Sequence, residues 1–192
     1  MLMKVCIVRH GETDWNAARR LQGRADVPLN ENGVAQALAA ANCLAGEAWH
    51  WDMVITSPLI RAKRTAEIIA AGVCADALQE DVRLIERDYG EGSGLVPEVR
   101  KAMYPDGNYP GLETFDALQG RICAAFQAAC EAHNGKNLII VSHGGAINSL
   151  LSALSCGEIG AGKTRLKTGC LNRLEVECGK TTIVSVNEVP SS

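Results

Sequence analysis

The stretch KVCIVRHGETDWN, Lys4–Asn16, decides the fold. Its apolar run is nearly continuous and passes straight into Arg9, His10 and Gly11. A run of that kind suits a strand covered on both faces, as in a parallel sheet packed between helices. A second run, NLIIVSHGG, Asn137–Gly145, has the same character and ends on His143 and two glycines. Two buried strands that each deliver a histidine beside glycine predict an α/β sheet with a site at the carboxyl ends of its strands, where ligands bind in open sheets.

Working outward, further strand-like runs lie at Met53–Thr56, Val82–Ile85, Leu171–Glu177 and Thr181–Val186. Helical patterns alternate with them. Asn30 is a candidate N-cap for ENGVAQALAAANCLAG, with Val34, Leu38, Ala41 and Ala45 on one stripe and Gly46 as the stop. Ser57-Pro58 reads as an N-cap serine followed by proline at the first helical position, ahead of an apolar stripe of Ala62, Ala66, Ile69 and Ala70. A third helix is expected over Glu113–His133, buried through Phe115, Leu118, Ile122, Phe126 and Ala129, with Asn134-Gly135 ending it. A fourth follows SHGG and carries Ile147, Leu150, Leu151 and Leu154. The alternation predicts one α/β domain over residues 1–192, with a mostly parallel central sheet and helices on both faces. The Gly-, Pro- and Tyr-rich segment Asp88–Leu112 is expected to be a long loop with one short helix.

The totals exclude several classes. A chain of 192 residues buries roughly 70% of its unfolded surface, so no disulfide or metal staple is required. The net charge of −3, from 19 basic and 22 acidic residues, favours neither nucleic acid nor an acidic membrane as a general partner. Eight cysteines, none in a CxxC pair, read as reduced thiols rather than as a zinc or redox site. No apolar run approaches the ~18 residues of a membrane span, and the demanding RHG motif comes too early for a signal peptide. The expected compartment is the cytoplasm.

Four strand ends therefore converge: Arg9-His10, then Ser57 with the helix bearing Arg61, then Glu86, then His143. That inventory suits phosphoryl transfer. Guanidinium forks match phosphate oxygens bidentately, a neutral imidazole can form a phosphohistidine, and a carboxylic acid can protonate the leaving oxygen and then activate water. Glu91 competes for the acid role, and Glu86 is preferred because it directly follows a strand-like run. The bland alternatives go to His50, His133, Arg64 and Trp15, each read as structural or surface. Arg19, Arg20 and Arg24 are either a solvated cluster or a site for a second anionic group, with nothing to separate the two. The literal phosphate-loop pattern GEIGAGKT, Gly157–Thr164, lacks a preceding strand and a following helix, so it is read as a polar loop rather than a nucleotide site.

The motif IVRHGETDWN resembles the signature of the histidine phosphatase superfamily, in its phosphoglycerate mutase-like branch. The resemblance continues through RLQGRADVPLNENGVAQA, SPLIRAKRTAEII, ERDYGEG, PGLETFDALQGR and VSHGG, in the expected order over most of the chain. It implies that His10 is the phosphorylated nucleophile and that Arg9, Arg61 and His143 hold the phosphoryl group with help from Asn16 and the backbone of Gly144. It implies Glu86 as acid and base, Gln22 and Gly23 on the substrate side, and no metal or other cofactor. One His10 nitrogen is expected to face a carbonyl near Gly11. The implied partners are a small phosphorylated substrate and product phosphate, with the oligomeric state open. Only 27 positions separate Glu86 from Glu113 and the chain ends soon after its last strand, so a phosphatase is expected. A cofactor-dependent phosphoglycerate mutase is the alternative, and a non-catalytic phosphate-binding module ranks behind both.

Overall fold

The computed structural model describes residues 2–191. A six-stranded sheet runs in the order β3-β2-β4-β1-β5-β6, formed by β1 (Met3–Arg9), β2 (Met53–Thr56), β3 (Ala77–Glu80), β4 (Leu138–Ser142), β5 (Leu171–Glu177) and β6 (Lys180–Glu188). The pairings from β3 through β2 and β4 to β1 are parallel, and β5 and β6 add antiparallel to the other side of β1. The helices are α1 (Asp14–Ala17), α2 (Glu31–Ala45), α3 (Ile60–Val73), α4 (Pro97–Met103), α5 (Phe115–Ala132) and α6 (Gly144–Leu154).

Strand alternation divides the core in two. Met3, Val5 and Ile7 of β1, with Leu138 and Ile140 of β4, pack beneath α5 and α6. Cys6 and Val8, with Ile139 and Val141, pack beneath α2 and α3. Burial on both faces explains why β1 and β4 read as unbroken apolar runs. The registers Arg9↔Ser142 and Thr56↔Val141 bring the ends of β1, β4 and β2 level, so the residues that follow them share one edge of the sheet.

Three expectations are corrected. Val82–Ile85 is not a strand. Val82–Leu84 is a 3₁₀ turn whose first residue is 67% exposed, because Asp81 accepts the Arg83 N–H at 2.9 Å and caps the turn. The strand lies just before it, at Ala77–Glu80, on the sheet edge, where mostly exposed side chains leave no apolar signature. Second, the buried face of α2 is Gly33, Ala37, Ala40, Ala41 and Leu44, while Leu38 is 51% exposed. Close packing of α2 on α3 needs small residues; a side chain on Gly72 would meet the Ala41 Cβ at 2.7 Å. Third, α3 begins at Ile60 rather than at Pro58, and its first N–H is capped from a distance by Asp26 Oδ1 at 2.7 Å. Leu44→Ala is therefore expected to cost about 2–5 kcal/mol in chemical denaturation, whereas Leu38→Ala stays within about 0.5 kcal/mol; equal losses would restore the stripe expected from the sequence.

Candidate functional site

A cleft of about 460 Å³ opens at the carboxyl edge of the parallel strands, lined by Arg9, His10, Arg61, Glu86 and Gly144 among others. Asn16, Gln22 and Gly23 line it too. His143 is fully buried behind His10, the two ring centroids lying 5.1 Å apart, and does not itself form the wall. All nine residues singled out in the sequence are thus within one locality.

His10 is fixed from three sides. Its N–H donates to Ser142 O at 3.0 Å, joining β1 to β4. Its Nδ1 lies 2.6 Å from Gly11 O, and Arg61 Nε approaches Nε2 at 3.3 Å. A carbonyl can only accept and a guanidinium can only donate, so the proton sits on Nδ1 and the Nε2 lone pair faces Arg61. Gly11 makes this possible: a Cβ there would lie 2.3 Å from Gly33 O. Thr65 Oγ1 accepts the Gly11 N–H at 3.1 Å and ties the turn to α3.

Arg61 is wholly buried, yet it is held by carbonyls and not by a carboxylate: its two terminal nitrogens donate to Ala25 O and Gly23 O, both at 2.7 Å. Burial lowers it to about 10, which leaves it charged at neutral pH. Arg9 donates to Leu166 O at 2.6 Å, and its buried Nε has no partner. Burial pulls the His10 imidazole well below its ordinary value, and Arg61 and Arg9 push in the same direction. His143 is depressed by the same causes; its Nε2 meets Ser57 Oγ at 2.8 Å and its Nδ1 is unpartnered. The result is two neutral imidazoles between two cations, an arrangement that attracts an anion.

Glu86 reaches the cleft without a strand to carry it, so the premise on which it was preferred over Glu91 is corrected. A side-chain splint holds its segment instead. Arg121 of α5 donates to Arg83 O, Ile85 O and Glu86 O at 2.8, 2.7 and 3.0 Å, and is itself gripped by both oxygens of Glu113. The Glu86 carboxylate accepts N–H bonds from Gly145, Ala146 and Arg87 at 2.9, 3.0 and 2.8 Å. It therefore sits on the positive end of α6. Glu91 lies outside the cleft and accepts from Tyr104 Oη at 2.6 Å.

Asn16 spends its carbonyl oxygen on Thr13 in a capping box around α1, which leaves its amide N–H₂ for the cleft. Gln22 brings a buried Oε1 with no partner. Of the basic cluster, Arg20 reaches the cleft, while Arg24 pairs with Asp88 and Glu113 at 3.4 and 3.5 Å. Arg64 pairs with Glu67 on the surface, His50 with Asp76, and His133 ends α5. Sequence reasoning missed Tyr89, Gly145, Asn148 and the loop Gly162–Leu166 as cleft residues. Tyr89 directly follows the ERD run, so an aromatic next to the acid was the available signal. The loop includes the end of the GEIGAGKT pattern. It is a series of turns docked on α6 through Asn148 Nδ2 and Thr164 O at 3.1 Å, with no strand before it and no helix after it.

A sheet of this order with histidines at the ends of two central strands defines a phosphoryl-handling class, and the histidine phosphatase superfamily (branch 1) model matches residues 5–189. The chain belongs to that family. Within it, the chain is 40% identical over 183 residues to a Bacillus subtilis protein named uncharacterized phosphatase PhoE, covering 95% of this chain and 93% of that one. It is 34% identical over 189 residues to a probable phosphoglycerate mutase GpmB of Cronobacter sakazakii, covering 92% and 86%. The solved structure of Bacillus stearothermophilus YhfR superposes with a TM-score of 0.87 at 28% identity, covering 99% and 98%.

In ¹⁵N-resolved NMR, His10 is expected to carry its proton on Nδ1 and to remain neutral at pH 6.5, titrating only below it. The sign for stability follows: below pH 6.5 the unfolded chain binds more protons than the folded one, so stability falls as the pH drops. An imidazolium at His10 at pH 6.5 would contradict the assigned hydrogen bonds.

Proposed function

We propose that this protein hydrolyses phosphate monoesters of small metabolites through a phosphohistidine on His10. The observation that carries the proposal is the Nε2 lone pair of a neutral His10, set beside two buried guanidiniums at the floor of an open cleft. Nε2 attacks phosphorus in line, and the bond to the ester oxygen breaks. Arg9, Arg61, His143, the Asn16 amide and the Gly144 N–H hold the phosphoryl oxygens, where their fixed charge acts on the developing charge of the transition state. Glu86 in its protonated form gives its proton to the leaving oxygen, then takes one from the water that attacks the phosphohistidine. Gln22 and Gly23 border the departing group.

Water is the favoured acceptor because the cleft lacks a cover from the segment best placed to supply one. Asp88 O accepts the Glu113 N–H at 2.9 Å and Tyr89 bridges Leu112, so the excursion between them is closed at its base. No residue from 90 to 112 lines this cleft, and of that segment Pro97 and Arg100 line only the space beside it. A mutase must shield the phosphohistidine from water long enough for a second substrate oxygen to attack; the GpmB relative keeps that alternative in view.

The deciding assay supplies 3-phosphoglycerate, with and without 2,3-bisphosphoglycerate, beside a panel of small phosphoesters. Free phosphate from the panel without 2-phosphoglycerate is expected; rapid interconversion of phosphoglycerates with little phosphate released would replace hydrolase by mutase. His10→Ala is expected to lose about 10³-fold or more of the turnover, and retained activity would refute the covalent route. Glu86→Gln is expected to slow alkyl phosphates far more than p-nitrophenyl phosphate, since a basic leaving oxygen needs the proton most; equal slowing would move the acid role elsewhere.

A further inference from the structure

A second cleft of about 810 Å³ adjoins the first, and its wall is basic: Arg19, Arg20, Arg100, Arg165 and Lys167 line it, against one carboxylate, Glu12. Glu12 is already engaged, accepting from the Asn30 and Asn32 side-chain amides at 3.1 and 3.2 Å. Among the described residues none of the five cations has a carboxylate within ion-pair distance, whereas Arg24, Lys63, Arg64, Arg83, Arg121 and Arg173 all do. The Nε of Arg100 is buried with no acceptor, as is the Nε of Arg9 where the clefts meet. Like charges gathered without counter-charges repel one another and weaken the fold. A chain with net charge −3 has acids to intersperse and does not place them here.

The two clefts are immediate neighbours. Arg9, Asn16, Arg20, Leu21, Arg165 and Leu166 line both, so the two spaces share these side chains. Arg165 is near enough to Arg9 to lower its pKa. Lys163 adds another unpaired cation at the mouth of the first cleft. A phosphoryl group at His10 is already matched by Arg9 and Arg61, so these further charges exceed what one anion uses.

We propose that the substrate is a small molecule with two separated anionic groups: a phosphoryl group at His10 and a second phosphate or carboxylate held in the adjoining cleft by Arg20, Arg100, Arg165 and Lys167. The identity of the reacting group rests on the phosphomonoesterase reading above; the second subsite rests on the charge and shape of the neighbouring cleft. Guanidiniums suit either anion because their paired N–H groups match two oxygens at once. The second anion fixes the register of the molecule and draws it to the cleft, so its contribution is to selectivity among phosphoesters.

The test is equilibrium binding by calorimetry of three phosphonate series with lengthening methylene spacers: alkyl phosphonates, ω-carboxyalkyl phosphonates and α,ω-bisphosphonates. Phosphonates are not hydrolysed, so the measurement does not depend on turnover. Affinity is expected to rise at least about tenfold over the alkyl phosphonate, a typical scale for added charge-assisted hydrogen bonds, once the spacer reaches the second cleft. Whether carboxylate or phosphonate gains more identifies the second anion. In the Arg100→Gln, Lys167→Gln double variant the gain is expected to vanish, while Arg64→Gln, outside both clefts, retains it. Equal affinity of all three series at every length in the wild type would overturn the proposal, as would a gain that survives the double variant. Selective bisphosphonate binding without hydrolysis of any phosphoester would sink the esterase reading and leave the second subsite standing; hydrolysis without such selectivity would do the reverse.

Discussion

The contact from Arg61 Nε to His10 Nε2 sets the terms for the rest of the molecule. A guanidinium taken wholly out of water is costly unless its donors are met. The protein meets them with the carbonyls of Gly23 and Ala25 and with the imidazole lone pair, none of which carries a negative charge. Everything nearby serves that arrangement. Gly11 supplies the carbonyl that pins the His10 proton, and the tight approach to Gly33 keeps that carbonyl in place. Asp26 closes the amino end of α3, so Arg61 enters the cleft from a capped helix. The result is a buried positive charge at the edge of the cleft.

The sheet and the site solve different physical problems. Hydrophobic burial on two faces fixes β1 and β4 as neighbours, and their parallel register sets Arg9 against Ser142. Position along the strand then decides what each residue can reach. The polar residues at the ends add little to the core, but they inherit its rigidity, which is what a reacting geometry within fractions of an ångström requires. The loops that complete the cleft depend on it in turn: Arg9 anchors Leu166, and α6 anchors Thr164 through Asn148.

Much of this was legible in sequence because it is periodic or local. The doubly buried strands announce themselves by unbroken apolar runs, and His10 and His143 stand where those runs stop. What escaped has a shared cause. Ala77–Glu80 is an edge strand with exposed side chains, so no alternation marks it. Val82–Leu84 looks like a strand until Asp81 is recognised as a cap. Leu38 is a large apolar residue of α2, yet it faces outward while Gly33, Ala37, Ala40, Ala41 and Leu44 face inward, and near Ala41 the approach of α3 leaves no room for a larger side chain. Arg121 acts on Glu86 from 35 positions away, and contacts at that separation leave no local pattern. The cleft walls from Gly162 to Leu166 are likewise set by tertiary docking.

The splint made by Arg121 and Glu113 separates two halves of the proposed chemistry mechanically. Arg9 and His10 are anchored in the sheet's hydrogen-bond ladder, His143 directly follows β4 and Arg61 sits on α3, whereas Glu86 is borne on a strandless segment clamped from α5 and seated on α6. A segment held by side chains can be lengthened, shortened or re-aimed without shifting a single strand register. If Glu86 protonates the leaving group as proposed, that arm is a detachable module on a fixed phosphate cradle, and a lineage can retune which leaving groups it expels while its grip on phosphorus is inherited unaltered.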